Sequence, residues 1–163
     1  MEYGTFGPVH IGWLDALVRL GAAFLLSFGL GLERFLRRKP IDFRPFVIIG
    51  LASCALVLGI SDFAARANGA ELSIDPTRVV QGVMTGIGFI GARALFREQH
   101  TVYGAGSATS IWAAGAIGLI CGFGLLWLAG LLTLGLVLLL ALSRPFTDEY
   151  TIRMDDQEDS DSS

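Results

Sequence analysis

Charged side chains vanish between Tyr103 and Ser143, a run of 41 residues. As one helix the run would extend about 60 Å at about 1.5 Å per residue, twice a hydrocarbon core of about 30 Å. It has to fold back, and Cys121-Gly122-Phe123-Gly124 near its middle supplies the turn. The pattern predicts two membrane-spanning helices in a tight hairpin, about Gly104–Cys121 and Leu125–Leu142.

Three apolar segments precede this hairpin. The first, about Ile11–Leu32, carries Asp15 and Arg19 in its first half. The second, about Phe46–Ala65, has Asp62 as its only charge. The third, about Val79–Phe96, is announced by Asp75-Pro76-Thr77, where Asp or Thr can cap a helix N-terminus. Gln81, Thr85 and Arg93 dilute it, and a Gly-rich helix of this kind is tolerated where neighbouring helices cover it. The expected fold is all-α: an integral membrane bundle of about five transmembrane helices. The bundle should occupy residues 11–146, with residues 1–10 as a short external segment and 147–163 as a tail.

Composition agrees with a membrane solvent. Of 163 residues, 53% are hydrophobic and 17% charged, and the mean hydropathy is +0.60. The formal charge of −3 hides an asymmetry: seven of the fifteen acids lie in residues 148–163. Residues 1–147 then hold eleven bases against eight acids, too small an excess to indicate nucleic-acid binding. The acidic run Asp155-Asp156-Gln157-Glu158-Asp159-Ser160-Asp161 has nothing apolar to bury, so a solvated, disordered tail is expected. No basic n-region or small-residue cleavage site marks a secretory signal, so the first apolar segment should remain in the mature protein.

The bases set an orientation. Arg34, Arg37, Arg38, Lys39 and Arg44 fall between the first two spans, Arg93 and Arg97 after the third, and Arg144 after the fifth. Only Arg66 and Arg78 face the opposite side. The positive-inside rule places the N-terminus outside and the C-terminus in the cytoplasm. Arg37, Arg38 and Lys39 also suit contacts with anionic lipid headgroups.

Candidate chemistry is sparse. On the third helix Arg78, Gln81, Thr85, Gly88 and Ala92 share a stripe, with Gly82, Gly86 and Arg93 beside it. A face both small and polar serves close helix packing with hydrogen bonds across it. Gly86 and Gly88 are expected where another helix backbone comes close; the alternative is a polar path lined by Gln81, Thr85, Ser107 and Thr109. Gly104, Ser107, Ala114, Gly118 and Cys121 form a second small-residue stripe on the fourth helix, and Trp112 is expected to fill a gap between helices. Asp15 and Arg19, one turn apart, can pair. Glu33 lies some fourteen residues from Arg19, too far to pair, and Arg93 at similar depth is its expected partner. Cys54 and Cys121 read as small packing residues. His10 and His100 fall on opposite sides, and no Ser or Cys has a base beside it, so no enzyme or cofactor is expected, and whether any residue holds a metal is left open by the sequence.

Gly31-Leu32-Glu33-Arg34, then Asp75-Pro76-Thr77-Arg78, then Gly86-Ile87-Gly88-Phe89-Ile90-Gly91-Ala92, then Ser110-Ile111-Trp112 and Gly118, occur in the order seen in one family. Over about Arg19–Leu142 the chain resembles the MgtC/SapB family of bacterial inner-membrane proteins. The resemblance implies a five-helix domain in the cytoplasmic membrane, linked to growth under magnesium limitation and, in some pathogens, to survival inside host phagocytes. Some members modulate other membrane machines, including the ATP synthase. Phe35, Arg44-Pro45, Gly91-Ala92-Arg93 and Gly106-Ser107-Ala108-Thr109 depart from the family pattern, and the soluble C-terminal domain of many members is expected to be missing, leaving only the short acidic tail. A divergent, minimal member is expected. It should act through a membrane-protein partner amid lipid, with room for a homodimer or larger oligomer. The competing class is a small-solute or ion transporter, with magnesium as the candidate cargo.

Overall fold

The structure is a computed structural model that describes residues 11–36, 42–67, 75–93, 96–98, 101–103 and 105–142. Five helices make up the fold: α1 (Trp13–Leu36), α2 (Arg44–Ala67), α3 (Pro76–Arg93), α4 (Ala105–Gly122) and α5 (Leu126–Leu142). Between α3 and α4 the chain adds a small antiparallel hairpin, β1 (Phe96–Glu98) and β2 (Thr101–Tyr103), pairing Phe96 with Tyr103 and Glu98 with Thr101. The sequence reading had carried the third helix into β1. Its true span lies three residues earlier, because Asp75-Pro76 fixes the start more firmly than hydropathy does.

Helices α1 and α2 are each long and apolar enough to cross a membrane, over Trp13–Leu36 and Arg44–Ala65. Their outer faces are crowded with large exposed apolar side chains, among them Leu14, Leu25, Ile48 and Phe63. An exterior of that kind needs an apolar solvent.

Helix α4 is the hub. It touches all four other helices, and Ala114, Ile117 and Cys121 are fully buried along it. Small residues make this possible, since lipid supplies no hydrophobic drive between helices and contact must come from close packing. A Cβ on Gly118 would overlap the Gly50 carbonyl of α2, and one on Gly122 would lie 2.6 Å from Val57 Cβ. Gly50 is closed from its other side by the buried Ser27 of α1. Helices α2 and α4 thus meet backbone to backbone at Gly50 and Gly118, with the Ser27 side chain of α1 against the same Gly50.

The α1–α2 pair is locked at one end by aromatic rings. Phe43 sits edge-on to both Phe28 and Phe35, with ring centroids 5.6 and 6.0 Å away. Gly31 admits this approach: a Cβ there would come within 3.1 Å of the Phe43 carbonyl oxygen. At the opposite end the α4–α5 hairpin turns through Gly124 at φ 81°, a left-handed conformation that glycine adopts without strain.

Candidate functional site

Helix α3 begins as its sequence dictates. Asp75 Oδ1 accepts hydrogen bonds from the Thr77 backbone N–H at 2.9 Å and the Thr77 hydroxyl at 2.7 Å, and Pro76 fills the first helical position. Those two bonds hold the Asp75 carboxyl below its ordinary pKa. The helix then lays Ile87 and Gly91 against α4; a Cβ on Gly91 would meet the Ala108 carbonyl oxygen at 3.3 Å.

Its other face is turned outward. Arg78, Gln81, Gly82, Thr85, Gly86, Phe89 and Ala92 are all exposed. This corrects the expectation that Gly82, Gly86 and Gly88 sit under a neighbouring helix of the same chain. A Cβ on any of the three meets nothing within 4 Å. The physical reason is that Ile87 presents its larger side chain to Gly115 of the α4 hub, while Val83, one turn earlier, packs against the core. Between α2 and α3 an apolar groove of about 590 Å³ opens sideways, lined by Ala52, Ala55, Gly59, Phe63 and Val79.

A second polar cluster stands at the α1–α2 loop end. Arg34 is only 7% exposed, and its guanidinium lies against the first turn of α4, about 3.0 Å from where a Cβ on Gly106 would be. Ser110 and Thr109 both donate to the Gly106 carbonyl, at 2.5 and 3.2 Å. Glu33 is half-buried beside Arg34 in the chain. The side chains of Arg93 and Ser107 lie outside the described residues, and with them the expected Glu33–Arg93 pair. His10 and His100 lie outside them as well.

At the far end, Arg19 pairs with Asp15 at 2.5 Å, as their spacing allows. Its Nη1 also donates to the Gly122 carbonyl at 2.9 Å, a contact the sequence reading missed. The signal for it was thin: two glycines, Gly122 and Gly124, bracketing the turn. Cys54 and Cys121 are free and buried among the packed helices. Trp112 is 48% exposed and does not fill the core gap expected of it, because Ala113 and Ala114 take the inward positions of α4.

Among the described residues the candidate path residues are therefore not assembled into one lining. Gln81, Thr85 and Thr109 are exposed, while the buried hydroxyls, Ser27, Ser53, Ser110 and Thr133, belong to other positions. Among the described residues no three His, Cys, Asp or Glu side chains converge.

A family model described as MgtC family matches residues 20–149. The chain is 32% identical to "Protein MgtC" of Brucella abortus (strain 2308) over 126 residues, covering 77% of this chain and 50% of that protein. It is 33% identical over 112 residues to "Protein SapB" of Bacillus subtilis (strain 168), covering 68% and 48% of the two chains. It is 31% identical, again over 112 residues, to "Putative magnesium transporter YhiD" of Escherichia coli (strain K12), covering 68% and 52%. The chain thus spans about half the length of the curated relatives it matches. No solved structure gives a significant match. With the motif order on α1, α3 and α4 and these identities in hand, the chain belongs to the MgtC family of membrane proteins.

Proposed function

We propose that the chain is a five-span protein of the bacterial cytoplasmic membrane, with its N-terminus outside, and that it serves adaptation to magnesium limitation or related stress by modulating a partner membrane protein without catalysis. One observation carries the choice of modulation over conduction. The interior is closed by backbone contact where Gly118 of α4 meets Gly50 of α2, with Ser27 of α1 against the other side. A hydrated cation has no room at that crossing, and dehydrating a divalent ion there would require oxygen ligands that a few hydroxyls do not replace. The guanidiniums of Arg34 and Arg19 stand at the two ends of the same seam. The polar side chains that vary the surface of α3 point outward, toward lipid and neighbours.

The printed name of the Escherichia coli relative favours the second reading, a magnesium transporter. Magnesium flux into proteoliposomes containing the pure protein separates the two. No flux above protein-free vesicles is expected under an imposed magnesium gradient. Saturable magnesium flux above that of protein-free vesicles would establish conduction and overturn modulation.

A further inference from the structure

The sequence holds two Gly-x-x-x-Gly pairs, Gly118–Gly122 on α4 and Gly82–Gly86 on α3. The first is consumed within the chain, against Gly50 and Val57 of α2. The second faces open space at both glycines. In a bilayer such a pair lets two helix backbones approach closely, and here that approach is not used internally.

Hydrogen-bonding groups make the same point independently. The Gln81 and Thr85 side chains flank the open glycines and form no hydrogen bond with the described residues. On the five-span reading Thr85 lies in hydrocarbon and Gln81 about one turn inside its edge, where lipid chains offer neither donor nor acceptor. Lipid alone leaves Gln81 unsatisfied. A helix with its own polar group at that depth does not.

We propose that the occupant is a second copy of this chain, with α3 crossing its counterpart about a two-fold axis along the membrane normal, glycine against glycine. The face is self-complementary. A Gln amide is both donor and acceptor, so Gln81 can bond its own copy reciprocally. One turn further out, Asp75 and Arg78 are opposite charges on the same exposed side. Asp75 commits Oδ1 to Thr77, which leaves Oδ2 to accept from Arg78 of the other copy. Two-fold symmetry makes that ion pair twice, and such isologous contacts join a patch to itself. A partner of different sequence has to supply both charges and the amide at matching heights; a second copy has them by construction.

The test uses the full chain, labelled with one fluorophore and reconstituted at low density in liposomes, with stoichiometry read by stepwise photobleaching. Wild type should bleach in two steps. Gly86→Leu should bleach in one while keeping the wild-type melting temperature, because the space at that position is open within the chain. Gly130→Leu, equally open but on α5, should remain a dimer. Gln81→Leu should weaken association roughly tenfold, the scale of one interhelical amide contact. Thr85→Cys should give a disulfide-linked dimer under mild oxidation, whereas Trp127→Cys, exposed on α5, should not; this arm stands even if a leucine variant fails to fold. Single-step bleaching of wild type, or a Thr85→Cys variant that crosslinks only to other proteins in native membranes, overturns the proposal.

Discussion

Arg19 of α1 donates to the backbone carbonyl of Gly122, 103 residues away, and so closes the C-terminal end of α4 from another helix. The last carbonyls of a helix have no partner in their own helix and carry partial negative charge. A guanidinium satisfies both deficits at once, and Asp15, 2.5 Å from Arg19, keeps the charge compensated. Arg19→Leu should lower stability in detergent by about 1.5–3 kcal/mol, the range for hydrogen bonds to charged groups. Arg19→Lys should recover part of that loss. Equal melting of Arg19→Leu and wild type would show that the cap contributes nothing.

The Gly50–Gly118 crossing makes a sharper demand. Gly118→Ala places a methyl group on the Gly50 carbonyl, so α2 and α4 must separate; overpacking of this kind costs about 1–3 kcal/mol. Gly130→Ala, with open space around it, should be neutral or stabilise by up to about 1 kcal/mol through helix propensity. Gly124→Ala should lose about 1–2 kcal/mol because its backbone is left-handed. Thermal denaturation of the three variants side by side gives the order; Gly118→Ala melting with Gly130→Ala would remove the crossing from the list of constraints.

Asp75 should register pH through its cap. Its folded pKa is depressed by the Thr77 hydrogen bonds, so the stabilisation is present above the unfolded-state pKa and is lost as pH falls through the folded one. The helix start should loosen only in strongly acidic solution. Thr77→Val removes the hydroxyl bond, the larger of the two effects, and should move the Asp75 titration back toward the usual carboxylate range in a carboxyl-carbon NMR experiment. An unmoved titration would mean that the hydroxyl bond is absent in solution.

Orientation follows from the charge bias. Reporter fusions after Lys39 and after Arg144 should read cytoplasmic, and a fusion after Gly69 external. A cytoplasmic Gly69 fusion would remove the five-span arrangement.

Much of the helix layout was legible because charge is so costly in lipid. The uncharged run split where Gly122 and Gly124 allow a turn, and α4 and α5 start within one residue of their expected positions. The direction of α3 was not legible. In a soluble protein the polar stripe of an amphipathic helix announces the outside. In a membrane the polar and small stripe can face either a neighbouring helix or open lipid, and periodicity alone does not choose. Side-chain volume did: Ile87 found α4, and Gly82, Gly86 and Gly88 were left over. The Arg19 cap was hidden for another reason, since nothing local in Arg19 names a carbonyl on the fourth helix.

Helix α4 is fourth to be synthesised but first in the hierarchy of contacts. During insertion α1 and α2 can close on one another through Phe43 as soon as both are in the bilayer. Helix α3 has only a slight contact with α2 by then, because its main support, the Ala108 side of α4, is still in the ribosome. For that interval the nascent protein is a paired hairpin with a loose third strand of chain, and a translation arrest or truncation before α4 leaves α3 exposed to quality-control proteases. The missing charges of α4 then acquire a biosynthetic meaning: a helix that packs between earlier neighbours carries no charge to be dehydrated on the way, and the hydroxyls of Thr109 and Ser110 travel already bonded to the Gly106 carbonyl.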